Sequence, residues 1–325
     1  MKKAAFYTLG CKVNQYETEA MAELFADSGY EIKEFTEVAD VYVINTCSVT
    51  NMGDRKSRQI IRRAKKLNPN AVIAVTGCYA QTAPDEVLAI EGVNLVLGTK
   101  DRKNIVTLVE ELNTESNINH VSDIMSNHEF EELQIKQYSN RTRAFIKIQE
   151  GCNQFCSYCI IPYARGPVRS RAKDDVVREI KELAHNGFKE IILVGIHVAS
   201  YGVDLGNTTL ERLIMDVDKI DGVERIRLSS IEPMTLNQEF IDSIKDSKKL
   251  CHHFHISLQS GCDETLKRMN RKYTTAQFKG IVDGLREAFD DVAITTDIMV
   301  GFPDESDEEF SKTVEFVRNI KFADA

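Results

Sequence analysis

Nowhere in its 325 residues does this chain carry an apolar run long enough to cross a bilayer. The start, Met1-Lys2-Lys3-Ala4, also lacks the long apolar region and small-residue cleavage site of a secretory signal. It runs directly into a strand-like segment. These absences argue against an exported or membrane protein and point to a cytoplasmic one with no membrane partner. Positive charge is not in excess either. The net charge is -9, so any nucleic-acid surface has to be a local patch. Tryptophan is missing altogether, and its absence decides nothing. What is present is ordinary for a globular chain: 42% apolar residues, enough for sizeable cores, and 28% charged ones. The length suggests two domains. With eight cysteines and no export signal, metal binding or catalysis is favoured over a disulfide framework.

A further absence is the most informative. Gly151-Cys152-Asn153-Gln154-Phe155-Cys156-Ser157-Tyr158-Cys159 gathers three cysteines at Cys-x3-Cys-x2-Cys spacing, with no fourth beside them. A closed structural zinc site takes four ligands. A cubane iron–sulfur cluster held by three thiolates keeps one iron open for another molecule. A zinc knuckle with a distant fourth ligand and a disulfide cluster are the alternatives.

Strand-like and helical patterns alternate through residues 1–112. Strands are expected at 3–9, 41–45, 71–76 and 94–97, with helices at 16–28, 51–67, 83–90 and 103–112. That alternation predicts an α/β fold, a doubly wound parallel sheet with helices on both faces. Cys11, Cys47 and Cys78 each follow a strand by one or two residues. The carboxyl ends of parallel strands share one edge, where ligands bind. Three thiols remote in sequence are therefore expected to converge as a second cluster site with an open position. Three separate small buried residues are the alternative.

Residues 113–140 are polar, acidic and poorly periodic, and read as an interdomain linker without chemistry, with room for a short strand or hairpin, in which His120 and His128 are solvent-exposed. From 141 to 325 strand and helix patterns repeat, with strands at 143–149, 190–194, 225–228, 253–258 and 292–300. A sixth is expected to begin at 322–325. This predicts a partial (β/α) barrel with its chemistry at the strands' carboxyl ends. Gly195-Ile196-His197, Ser229 to Pro233, Gln259-Ser260-Gly261 and Gly301-Phe302-Pro303 occupy those ends. Cys251, Cys262 and the histidines His252, His253 and His255 read as structural.

Two cationic stretches stand out. The helix at 51–67 places Arg55, Arg58 and Arg62 on one face. Residues 162–173 hold Arg165, Arg169 and Arg171 with Tyr163 and no acid. Both suit phosphate contacts, and both also suit solvated surface charge.

The combination resembles the radical S-adenosylmethionine methylthiotransferases. The resemblance rests on Thr8-Leu9-Gly10-Cys11-Lys12-Val13-Asn14-Gln15, Cys47, Cys78 and the Cys152/Cys156/Cys159 loop. It rests also on Arg165-Gly166, Arg169-Ser170-Arg171, Gln259-Ser260-Gly261, Lys267 to Arg271 and Asp297-Ile298-Met299-Val300-Gly301-Phe302-Pro303, and it spans residues 3–320. The segments 195–202 and 253–261 are similar to the branch acting on tRNA N6-threonylcarbamoyladenosine. The resemblance implies two [4Fe-4S] clusters. One, on Cys152, Cys156 and Cys159, would cleave S-adenosylmethionine to a 5′-deoxyadenosyl radical. The other, on Cys11, Cys47 and Cys78, would deliver the sulfur inserted at C2 of the adenine. Apart from these ligands it implies no catalytic side chain. It points to Gly195, Ser229, Glu232, Gln259, Ser260, Arg271 and Asp297 as S-adenosylmethionine contacts. It implies a tRNA anticodon loop as substrate, flavodoxin or ferredoxin as electron donor, and a monomer. The family's C-terminal RNA-binding TRAM domain has no counterpart in the 325 residues, and the sequence reads as cut short before it. The same chemistry on isopentenyladenosine or on a ribosomal-protein aspartate, and a noncatalytic RNA-binding protein with structural metal sites, are the rival readings.

Overall fold

The computed structural model describes residues 1–48, 51–112, 117–135 and 143–325, without the side chain of Asn51. They form two compact units. The first takes in Met1–Ser139 together with Glu150–Cys152 and Ile160–Pro167. The second takes in Asn140–Gln149, Asn153–Cys159 and Val168–Ala325.

Six strands build the first unit's sheet: β1 (Lys3–Thr8), β2 (Glu31–Lys33), β3 (Val41–Thr46), β4 (Val72–Gly77), β5 (Leu95–Leu97) and β6 (Ile118–His120). Their order is β2-β1-β3-β4-β5-β6, and every pairing is parallel. All six residues of β3 are buried, as a central parallel strand covered on both faces requires. Alternation sorts its side chains. Val41 and Val43 join Met21, Phe25 and Val109 in one core. Tyr42 and Ile44 join Ile60, Ile61 and Ala64 in the other. Burying one such aliphatic side chain contributes roughly 1.5–3 kcal/mol, so helices Lys12–Asp27 and Asn51–Leu67 are held by their apolar stripes. The doubly wound sheet is as expected.

The stretch read as a linker is different. Residues 113–116 and 136–142 lie outside the described residues, but β6 pairs with β5, and Leu133 and Ile135 are buried. The Tyr16 hydroxyl donates to the Leu133 carbonyl. Residues 117–135 therefore belong to the first unit. Their polarity hid this, because an edge strand three residues long needs little apolar sequence. His120 and His128 are exposed.

The second unit begins with β7 (Arg143–Glu150, whose last residue is counted with the first unit). It continues through β8 (Arg169–Ser170), β9 (Glu190–Gly195), β10 (Arg225–Leu228), β11 (His253–His255) and β12 (Ala293–Thr295). One sheet runs β10-β9-β7-β8 and a second pairs β11 with β12. Single parallel bridges at Ile226–Leu250, Ile231–Ile256 and Gln259–Ile298 extend the pairing beyond the named strands. The result is the expected curled half-barrel with helices outside. Strand β8 was not anticipated. The strand expected at 292–300 is only three residues long, and at the chain's end Asp324 makes one bridge to Thr295.

Candidate functional site

In the first unit, strands β1, β3 and β4 are neighbours, so the turns carrying Cys11, Cys47 and Cys78 lie side by side on the sheet's carboxyl edge. Close backbone packing sets their spacing. A Cβ added to Gly10 would stand 2.9 Å from Cys47 Cβ and 3.1 Å from its Sγ. Asn14 staples the turns. Its Nδ2 donates to the Leu9 carbonyl at 2.7 Å and the Thr46 carbonyl at 2.9 Å, and its Oδ1 accepts from Cys11 Sγ at 3.7 Å. Cys11 is exposed, Cys47 half-buried and Cys78 buried. Burial pushes the Cys78 thiol up to about 11, against the pull of Arg165.

Behind this edge lies an ion network that the sequence did not reveal. Arg165 Nε donates to Cys78 Sγ at 3.3 Å. Its Nη1 meets Glu17 and Glu150, each at 2.6 Å, and its Nη2 meets Asn14 Oδ1 at 2.6 Å and Glu17 at 3.1 Å. Arg102 pairs with the same Glu17, with Glu131 at 2.8 Å and with Glu150 at 3.4 Å. Both arginines are fully buried. Burial works against the charge on Arg165, but the Cys78 thiol, Glu17 and Glu150 more than offset it and hold the guanidinium protonated. Arg165, expected as a surface cation for RNA, is corrected to an interior ion partner. Arg169 and Arg171 are corrected likewise. They are 1% and 0% exposed, and Arg171 pairs with Glu179.

In the second unit, Arg271 is the centre of the arrangement. Its Nη1 donates to Cys156 Sγ at 3.4 Å, its Nη2 to the Ser257 carbonyl at 3.2 Å and its Nε to the Tyr273 hydroxyl at 3.1 Å. The cysteine loop is pinned to the same turn. Asn270 Nδ2 donates to the Phe155 carbonyl at 2.8 Å, and the Ser157 amide donates to the Met269 carbonyl at 3.1 Å. Burial raises the Glu232 carboxyl while the Arg271 charge opposes the shift. Burial and the same arginine depress His197 to about 4. Gly195 lies close to Gln149, whose Oε1 accepts from the His197 amide at 2.7 Å. Gly195, Glu232, Arg271 and Cys156 thus share one neighbourhood. His197, at the same strand end, joins them; the sequence places it beside Gly195 after the strand but does not single it out as a contact. Its signal was only its place after β9.

The other expected contacts divide. Ser229 Oγ is buried with no hydrogen-bond partner among the described residues. Gln259 adopts φ +68 and its amide donates to the Asp297 carbonyl, which brings these two together. The Asp297 side chain is largely exposed and faces His255 Nε2 at 3.1 Å. Ser260 is fully buried, with its hydroxyl on Thr313 and the Cys262 amide. Its expected ligand contact is corrected to a structural one. Of the basic helix, Arg55 and Arg62 are exposed, while Arg58 is half-buried and donates to the Tyr79 hydroxyl at 2.9 Å.

The donor set fits an iron–sulfur cluster. All eight cysteines stand as thiols rather than as disulfides. In each unit a guanidinium already donates to a cysteine sulfur, the outer contact that tunes such clusters. Among the described residues, no three His, Cys, Asp or Glu side chains stand together tightly enough for a single metal ion. A cubane is much larger than one ion and sets its thiolates wider apart. S-adenosylmethionine also has matching groups: the Arg271 fork suits a carboxylate, and Ser229 Oγ and His197 Nε2 are buried polar atoms without partners among the described residues.

Comparison with known proteins agrees. Residues 146–317 match the family described as the radical SAM superfamily, and residues 3–98 match one described as uncharacterized protein family UPF0004. A Bacillus subtilis protein named threonylcarbamoyladenosine tRNA methylthiotransferase MtaB is 49% identical over 100% of this chain and 72% of its own length. The Aquifex aeolicus protein of that name is 42% identical over 98% of this chain and 78% of its own. A tRNA-2-methylthio-N(6)-dimethylallyladenosine synthase of Thermoanaerobacter pseudethanolicus is 39% identical over 97% of this chain and 68% of its own. Among solved structures, the Kitasatospora setae radical S-adenosylmethionine methyltransferase TsrM aligns over 99% of this chain and 72% of its own at TM-score 0.70. The identity is 15%, so the likeness is one of fold.

Proposed function

This chain belongs to the tRNA methylthiotransferases of the radical S-adenosylmethionine superfamily, and on that premise we propose that it installs a methylthio group at C2 of N6-threonylcarbamoyladenosine beside the anticodon. The family's cofactors are S-adenosylmethionine and [4Fe-4S] clusters. The observation that carries the substrate choice is 49% identity with a relative of that specificity, against 39% with one named for dimethylallyladenosine. Cys152, Cys156 and Cys159 hold one cluster and Cys11, Cys47 and Cys78 a second. When bound, these groups supply one-electron cleavage of the sulfonium and carriage of the inserted sulfur.

The chain's own residues bind and orient. The Arg271 fork takes the carboxylate of S-adenosylmethionine and, through Nη1, fixes Cys156. His197, kept neutral, offers a ring nitrogen as donor or acceptor without a competing charge. Ser229 and Glu232 supply polar atoms for the ribose and amino groups, with the backbone at Gly195, Gln259 and Asp297 lining the approach. Arg55 and Arg62 contact tRNA phosphates. A low-potential donor such as flavodoxin or ferredoxin supplies the electron in the cytoplasm, and the chain acts as a monomer.

Mass spectrometry of tRNA nucleosides from a deletion strain tests the substrate. Selective loss of the methylthio form of threonylcarbamoyladenosine is expected. Loss of the isopentenyladenosine product instead, or an unmodified ribosomal-protein aspartate, would replace this reading with one of the rivals. Reconstituted protein is expected to carry about eight irons per chain, and about four in either triple cysteine-to-alanine variant.

A further inference from the structure

Arg165 and Arg102 are both fully buried in one ion network with Glu17, Glu131 and Glu150. Buried ion networks are weak sources of stability, because desolvation consumes most of the attraction. Glu17 and Glu150 are shared between Arg102 and Arg165, and Arg102 also pairs with Glu131. Arg165 differs from Arg102 in what it reaches. Its Nε is 3.3 Å from Cys78 Sγ, and its Nη2 is on Asn14 Oδ1, the atom that also accepts from Cys11. Asn14 in turn ties down the Leu9 carbonyl, two residues before Cys11, and the Thr46 carbonyl, next to Cys47. One guanidinium thus touches one cysteine directly and both of the other cysteine turns through a single amide. Glu17 and Glu150 clamp the fork so that its third edge is left facing sulfur.

We propose that Arg165 is the positioning residue of the Cys11/Cys47/Cys78 centre, fixing the Cys78 side chain and holding the reduction potential of the cluster bound there above the value the three thiolates alone would give. The physical cause is charge. Reduction adds an electron to a buried, anionic site, and a fixed guanidinium at hydrogen-bond distance stabilises the reduced form more than the oxidised one. The proposal rests on the reading that these three cysteines hold a cluster.

The test uses reconstituted full chain with Cys152, Cys156 and Cys159 all changed to Ala, so that the first unit's cluster is observed alone. Iron content, electron paramagnetic resonance of the reduced form and a redox titration are read for this parent and for Arg165→Lys, Arg165→Gln and Arg102→Lys. The parent is expected to hold about four irons; a parent without iron overturns the cluster reading and this proposal together. Arg165→Gln is expected to shift the midpoint to a more negative potential and change the spectrum, with Arg165→Lys between it and the parent. Arg102→Lys is expected to lower the melting temperature and leave potential and spectrum alone. If Arg165→Gln fails to assemble, an altered spectrum in Arg165→Lys supports the proposal. Parent-like potential and spectrum in Arg165→Lys and Arg165→Gln, or equal shifts from Arg102→Lys, would show a merely structural network.

Discussion

His197 is mostly buried, with Nδ1 against Ser200 Oγ at 2.7 Å and Arg271 close enough to oppose its protonation. Its folded-state value of about 4 lies below the ordinary 6.5. Between those two values the unfolded chain takes up a proton that the folded chain refuses. Stability therefore falls as pH drops through that window, and by pH 4 on the order of 3 kcal/mol is lost through this group. His197→Gln should remove that share of the slope. Thermal melts of both proteins from pH 7 to 4 read it as a difference, which cancels the carboxylates they share; parallel curves would refute it. Arg271→Lys keeps the charge and loses the fork. S-adenosylmethionine binding should weaken about tenfold, roughly 1.4 kcal/mol, in equilibrium dialysis. The six cysteines proposed as cluster ligands stand out in the sequence at this scale, since three lie in one tight motif and three follow buried strands. Arg165 was not. Beside Arg169 and Arg171 it looked like surface charge, because its partner Glu17 is 148 residues away in sequence and no local pattern records that.

At the scale of elements, the strand-to-turn junctions set the geometry of the site proposed for the Cys11/Cys47/Cys78 cluster. Gly77 ends β4 at φ +97, and a Cβ there would lie 2.4 Å from both Asn45 Oδ1 and the Thr46 carbonyl. Neither neighbour can yield, since Asn45 Nδ2 is committed to the Asn14 carbonyl at 2.9 Å and Thr46 lies in the adjacent strand. Gly77→Ala should cost at least about 2 kcal/mol and lower the iron bound by the Cys152/Cys156/Cys159→Ala background. Gly29 is the control. It has φ +85 but open space around it, so Gly29→Ala should cost on the order of 1 kcal/mol and leave iron content unchanged. Urea unfolding and iron assay check both; equal losses would mean that crowding at Gly77 is unimportant. Helix and strand existence came through the sequence well because amphipathic periods are strong over ten residues or more. Strand β8, two residues long, and the edge strand β6 carry too few side chains to leave a period.

The whole molecule is acidic, with a net charge of -9, yet helix Asn51–Leu67 leaves Arg55, Lys56, Arg62, Arg63 and Lys66 exposed. A polyanion approaching such a chain is repelled by most of its surface and attracted by this helix, so the field orients as well as binds. The correction at Arg165, Arg169 and Arg171 sharpens the point: three of the six cations expected to meet RNA are interior, which leaves the helix to carry the proposed RNA contact. Each phosphate contact removed lowers the slope of log affinity against log salt by about 0.7–0.9. Arg55→Gln with Arg62→Gln should thus reduce the slope for a tRNA anticodon stem-loop by about 1.5, with the fold intact by circular dichroism. Arg169→Gln or Arg171→Gln should instead lower the melting temperature, since both side chains are buried and Arg171 is the ion partner of buried Glu179. Arg58 is expected to fall between these, because its guanidinium is shared with Tyr79, whose neighbour in sequence is Cys78. Filter binding at several salt concentrations separates the cases. A slope that Arg55 and Arg62 leave unmoved would take the RNA face away from this helix and leave its charge as solvation alone.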